Sequence, residues 1–228
     1  PTLAAIERKN ISADVFRKAQ QTLSSLGIET FTDIILPLPE ETLDSFINGI
    51  SNTIENGQHN RIQFNNLSIL PNALMGDPAY QERYGLEIVE TDMINIHGAL
   101  ADDNPVMEKQ QLVVGTHAMP KPDWVKARVW GWMTALLHFD KLLQLPFVLL
   151  NRLYRIPYRD LLSLFMQDDL PPVLAQIQAA FLDQARTIQR GGVEFCESKQ
   201  WLNIWWPADE LALIELCSAG RLELFFPV

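Results

Sequence analysis

The sequence predicts an α/β protein with a parallel sheet in its first ninety residues and a mainly helical remainder. Three observations carry that expectation. Up to about Asp92 the apolar residues switch between a helical and a strand period, in the order helix, strand, helix, strand. Short links bearing Pro or Gly separate them, as in βα units around a parallel sheet. From Pro120 onward the apolar spacing is helical almost throughout.

Taken in order, Ser12 is placed to cap a helix whose apolar positions Phe16, Ala19, Leu23 and Leu26 recur every three or four residues, with Gly27 at its end. Ile28 to Leu36, rich in Ile, Thr and Phe, reads as a strand that Pro37 and Pro39 stop. Leu43, Phe46, Ile47, Ile50 and Ile54 form the clearest amphipathic stripe of the chain, closed by Gly57. Arg61 to Leu70 reads as a second strand, ended by Pro71. Two strands cannot close a barrel, so any barrel is incomplete here.

After Asp92 the character changes, and the loop through Asp102, Asp103, Asn104 and Pro105 reads as a boundary between residues 1–92 and 93–228. Gln111 to Thr116 is one further strand. Pro122 suits a first helical turn, and the segment after it carries Trp124, Val129, Trp130, Trp132, Met133, Leu136 and Leu137 on nearly every side, which predicts a helix buried among others. Leu174, Ile177, Phe181, Ala185 and Ile188 mark an amphipathic helix ending at Gly191 and Gly192. A last helix runs from Ala208 to Ser218 behind Pro207, and Leu222 to Phe226 reads as a final strand.

The 228 residues carry 18 Lys and Arg against 28 Asp and Glu, a net charge of −10, which argues against a nucleic-acid groove built on basic side chains. With 47% hydrophobic and 20% charged residues the chain has the composition of a folding protein, not of a disordered one. The most apolar region, Thr134 to Leu150, is interrupted by His138, Asp140, Lys141, Gln144 and Pro146, short of the roughly 18 apolar residues of a membrane span. Opening on Pro1, with neither an initiator methionine nor a signal sequence, the chain is expected to be a piece of a longer cytoplasmic protein.

One segment carries a signature. Asp33-Ile34-Ile35-Leu36-Pro37-Leu38-Pro39-Glu40-Glu41-Thr42 takes a strand through a proline-rich turn into an acidic first helical turn. Upstream lies Leu3-Ala4-Ala5-Ile6-Glu7-Arg8-Lys9-Asn10; downstream lie Leu67-Ser68-Ile69-Leu70-Pro71-Asn72 and Tyr84-Gly85-Leu86. In this order and spacing they resemble the second half of the radical S-adenosylmethionine (radical SAM) barrel, in the branch whose longer members begin with a cobalamin-binding domain. The resemblance covers residues 1 to about 90. It implies a partial, incomplete TIM-like (β/α) barrel followed by a mainly helical C-terminal extension, within an iron–sulfur oxidoreductase or methyltransferase. It also implies roles: Arg8 pairs with the methionyl carboxylate, Asp33 accepts from the ribose hydroxyls, Ile35 lies against adenine, and the backbone at Leu70 and Pro71 borders the adenine edge. The implied cofactors are S-adenosylmethionine and a 4Fe–4S cluster, with cobalamin as the further candidate. The implied partners are the N-terminal part of the same polypeptide and a small-molecule substrate.

The chain departs from that pattern in places. Pro37, Glu40 and Asn72 stand where the family prefers glycine, and the cluster-binding CxxxCxxC loop is absent. Cys196 and Cys217 lie 21 positions apart and are expected to be buried, inert thiols, so the chain alone is expected to be inactive. His59, His97, His117 and His138 lack the spacing of a helical metal site. Adjacent Glu40 and Glu41 face different directions, and the tryptophans read as packing between barrel and extension. The competing expectation is a non-catalytic binding or scaffold module with a barrel-like half.

Overall fold

The computed structural model describes residues 1–100 and 107–221. The loop at Asp102 to Pro105 and the strand expected at Leu222 to Phe226 lie outside the described residues.

A short turn of helix, α1 (Thr2–Ala5), precedes α2 (Ala13–Ser25). The Ser12 side chain caps α2 by accepting from the Val15 N–H, and Gly27 follows at φ +70°, a left-handed conformation that glycine adopts without steric cost. Its apolar stripe is only partly covered: Phe16 and Leu23 are half-buried, while Val15 and Leu26 are exposed. Strand β1 (Phe31–Leu36) begins three residues later than the expected Ile28 start and pairs in parallel with β2 (Arg61–Asn66), from Phe31 opposite Arg61 to Leu36 opposite Asn66. Between them α3 (Leu43–Glu55) is opened by a reciprocal cap in which Thr42 and Ser45 each satisfy the other's backbone N–H. Its stripe Phe46, Ile47, Ile50 and Ile54 is buried.

The single strand expected over Arg61 to Leu70 is in fact two, and the chain changes sheets at the joint. β3 (Ser68–Ile69) leaves β1 and pairs antiparallel with β5 (Lys109–Gly115), which in turn pairs antiparallel with β4 (Glu87–Asp92). Leu67 is the pivot, because its N–H donates to Leu36 in one sheet while its C=O accepts from Val113 in the other. Asn66 braces this joint from within: its buried amide donates to the Val113 carbonyl (3.0 Å) and accepts from the Trp124 indole (3.1 Å). Neither Pro nor Gly interrupts Arg61 to Leu70, so the run lacks the breakers that would mark the joint. α4 (Pro78–Tyr84), capped by Asp77, ends at Gly85 at φ +60°, where the His117 ring occupies the space a Cβ would need.

The helical part packs onto this base. Beyond its first turn α5 (Lys121–Thr134) is buried on nearly every side, with Lys126 exposed, as its tryptophans predict, and it runs into a π-turn at Ala135–Phe139. There follow α6 (Gln144–Tyr154), α7 (Tyr158–Ser163), α8 (Pro172–Gln189), a hairpin of β6 (Cys196–Ser198) and β7 (Ile204–Trp206), and α9 (Ala208–Ser218). The principal core joins both portions, with Leu36, Ile50 and Ile62 packed among Trp124, Leu136, Tyr158, Phe181 and Ile188. Among the described residues the architecture is mixed α/β with three small sheets, none closed into a barrel. No single described helix is long and apolar enough to cross a membrane.

Candidate functional site

β1 carries two of the residues that the sequence singled out. Asp33 and Ile35, two apart, share a face of β1. Asp33 is exposed and accepts from the Asn65 amide at 3.2 Å, across the parallel pair. Ile35 is half-buried and packs against the cluster of Leu67, Ile69 and Val113. Beyond β1 the Leu36–Pro37 peptide is cis, Pro37 and Pro39 are buried, and Glu40 adopts φ +64°. Glu40 therefore takes the left-handed shape that a glycine at this position would supply, so the departure changes the side chain and keeps the turn. Glu41 turns inward, and burial pushes its carboxyl up to about 7, opposed by a long hydrogen bond from the Leu38 N–H. The two glutamates thus face apart, as expected from their adjacency.

Leu70 and Pro71 are exposed in the turn after β3. Gly76 lies so close beneath that a Cβ would stand 2.5 Å from the Pro71 carbonyl oxygen, so only glycine fits there. Arg8 is exposed beyond α1 and has no ionic partner among the described residues. α1 itself is tied to α4 by the Tyr80 hydroxyl donating to the Ala5 carbonyl at 2.9 Å. A cleft of about 300 Å³ brings α1 beside Glu40, Arg83 and Tyr84. The structure thus gathers Asp33, Ile35 and Asn65 on one rim, with Leu70 and Pro71 in a separate turn. No hydrogen bond or ion pair joins Arg8 to any of them.

A second polar region was not legible beforehand. Arg61, at the start of β2, meets Asp140 at 2.7 Å, Asp209 at 2.9 Å and Glu210 at 3.2 Å, and His97 meets Glu210 at 2.7 Å. Three carboxylates around one guanidinium are more negative charge than it can neutralise. Burial first, and the Asp209 charge next, push Asp140 up to about 7 against the pull of Arg61. Along the outer edge of β2, Arg128 donates to the Phe64 carbonyl (3.0 Å) and to Glu194 (3.2 Å), and Glu194 accepts from the Asn66 N–H (3.3 Å). A buried ion pair thus satisfies the backbone groups that a neighbouring strand would otherwise bond. Arg128 also stacks on Trp132, 4.4 Å from the ring centroid. A cleft of about 150 Å³ opens here, lined by Arg61, Asn65, His97, Arg128, Glu194 and Asp209 among others. The available signal was Arg128, a charge within the tryptophan-rich segment expected to be buried; Arg61, among Asn60, Gln63 and Asn65, gave none.

The expectation of two buried thiols needs correction. Cys217 is exposed, not buried, because α9 turns that position outward, whereas Cys196 is half-buried and burial pushes its thiol up to about 12. The histidines keep no helical metal-site spacing, but His59 Nδ1 and His138 Nε2, 79 positions apart, lie 3.2 Å from each other.

No family model matches the chain. Over 125 residues it is 41% identical to the cobalamin-dependent radical SAM methyltransferase TokK of Streptomyces tokunonensis. Over 123 residues it is 37% identical to the 2-(S-pantetheinyl)-carbapenam-3-carboxylate methyltransferase of Streptantibioticus cattleyicolor. These matches take in 55% and 54% of this chain but 18% of the length of each relative. The resemblance read from the sequence is thereby borne out: one of these relatives is a cobalamin-dependent radical SAM methyltransferase and the other a methyltransferase.

Proposed function

We propose that this chain works within a cobalamin-dependent radical SAM methyltransferase, where the carboxyl rim of β1 and β2 forms part of the S-adenosylmethionine pocket and the helices back the substrate wall. In this reading β1, α3 and β2 are one parallel unit of an incomplete (β/α) barrel wall within residues 1–92, and residues 93–228 are the extension packed on it. The observation that carries the reading is the 41% identity to TokK over 125 residues.

The geometry supports it residue by residue. The Asp33 carboxylate faces solvent, steadied by Asn65, with acceptor capacity left for vicinal hydroxyls. Ile35 follows on the same face and offers an apolar wall for a base. Arg8 keeps an uncommitted guanidinium for a carboxylate. Ligand groups held at the carboxyl ends of parallel strands meet the loops there, where barrel sites assemble.

The iron–sulfur cluster is a different case. It needs three thiolates close together, and this chain has only Cys196 and Cys217. No group of three metal-ligating side chains gathers among the described residues. These residues do not fit the cluster, so its ligands belong to another part of the polypeptide and the chain alone is inactive. When all cofactors are bound they supply the methyl-transfer chemistry; the residues here bind and orient the nucleoside.

Equilibrium dialysis of S-adenosylmethionine against the anaerobically reconstituted polypeptide that carries this chain tests the assignment. Asp33→Ala and Arg8→Gln are each expected to weaken binding by about tenfold or more, the worth of hydrogen bonds to charged groups. Unaltered binding in both variants removes these residues from the pocket.

A further inference from the structure

At the amino end of β2, away from the proposed nucleoside rim, a cleft of about 550 Å³ lies between α2, the end of α3, α6 and α7. That is within the size range of small-molecule sites. Its lining is polar, and three donors on it lack partners.

Tyr158 is 2% exposed, lines the cleft, and its hydroxyl makes no hydrogen bond to any described residue. The ring is buried but the hydroxyl oxygen is not, so the phenol opens onto the cleft as a donor with no protein partner. Arg152 lines the same cleft and has neither an ion pair nor a hydrogen bond among the described residues, and its charge acts on both His59 and Tyr158.

His59 is the third. Its Nδ1 faces His138 Nε2 at 3.2 Å, and the Nδ1 of fully buried His138 has no partner. A proton on that orphaned Nδ1 would be a buried unsatisfied donor, so the favoured tautomer puts it on His138 Nε2, donating to His59. His59 is then left with an Nε2–H as its free donor. Burial, then Arg152 and Lys141, lower the pKa of His59 and favour the neutral ring.

Of the other charges on the cleft, Arg17 pairs with Asp14, while the Glu55 carboxylate accepts from the Ser51 hydroxyl at 3.3 Å and, having no ion pair among the described residues, is the one charge on the lining that opposes an anion.

We propose that this cleft binds the anionic end, a carboxylate or a phosphate, of a small molecule through Arg152, Tyr158 and His59. A planar guanidinium supplies the charge, and the phenol and imidazole N–H direct two further hydrogen bonds to the oxygens. The site is separate from the nucleoside rim, so its failure leaves the S-adenosylmethionine reading intact.

The test titrates the chain with inorganic phosphate and, in a parallel arm, with acetate, following the His59 ring resonances by NMR and the heat by calorimetry. Saturable binding that shifts His59 is expected, and the stronger arm tells which anion the cleft takes. Arg152→Gln should weaken it about tenfold or more, and Tyr158→Phe by about threefold to tenfold. Arg152→Lys keeps the charge and should lose less. Arg190→Gln, on the far end of α8, should change nothing. Circular dichroism checks that each variant is folded. Absence of a saturable response in both arms, or wild-type affinity in both Arg152→Gln and Tyr158→Phe, overturns the proposal.

Discussion

The two edges of β2 solve the same physical problem by opposite means. Its inner edge meets β1 in a regular parallel ladder, from Arg61 opposite Phe31 to Asn66 opposite Leu36. Its outer edge meets side chains instead, with Arg128 on the Phe64 carbonyl and Glu194 on the Asn66 N–H. A ladder is cheap to specify, since each residue satisfies its own backbone groups. Side-chain capping relies on one charged pair, buried to 3% and 12% exposure, whose desolvation only a complete set of partners offsets. The outer edge is therefore the more fragile of the two, and the more specific.

The largest effect should come from breaking that pair. Arg128→Ala leaves Glu194 buried without its cation, frees the Phe64 carbonyl and removes the cover over Trp132. A loss of about 3–5 kcal/mol is expected, by urea denaturation at constant m-value. The double variant Arg128→Met with Glu194→Gln removes both charges and should be less damaging than Arg128→Ala alone. If the double variant is the worse of the two, the edge depends on these particular hydrogen bonds more than on charge balance.

A smaller effect distinguishes the polar cluster from the apolar core it borders. His138, in the π-turn, is packed by Phe139, Phe147 and Tyr158, and burial first, then His59, pull its pKa down to about 3. A histidine depressed in the folded state binds its proton in the unfolded chain first, so stability is full above the ordinary value of 6.5 and falls as the pH drops below it. The slope should be about 1.4 kcal/mol per pH unit down to the folded value. Asp140 and Asp209, raised by burial, work in the opposite direction. The readout is accordingly the difference in slope between wild type and His138→Phe from pH 6.5 to 5, measured by chemical denaturation. Equal slopes would show that the ring takes up a proton without leaving its place.

The contrast between these regions also explains what the sequence made legible. α3 was readable because its apolar stripe and Gly57 are local, and α9 because Pro207 marks its start. The rim residues Asp33 and Ile35 were readable for the same reason, as neighbours in one strand-to-turn motif. Arg61 with Asp209 and His59 with His138 are 148 and 79 positions apart, and nothing in the local pattern ties them together. The change of sheet at Leu67 was hidden because no Pro or Gly separates β2 from β3. β4, β6 and β7 escaped notice as short strands held by pairing, β4 with β5 and β6 with β7, more than by their own periodicity.

The smallest effect tests the rim itself. Glu40 holds φ +64° where the related pattern prefers glycine, and an L side chain in that region costs roughly 1 kcal/mol or more. Glu40→Gly relieves that strain while enlarging the conformational freedom of the unfolded chain, which takes back part of the gain. Because Glu40 is exposed, little packing is lost. The net stabilisation expected is about 0.5 kcal/mol, read as a small rise in denaturation midpoint at unchanged m-value. A fall instead would mean that the Glu40 side chain, beside Arg83 in the cleft with α1, contributes more than its backbone conformation costs. The turn after β1 would then be held by side-chain contacts, as the outer edge of β2 is, and the difference between the two regions would narrow.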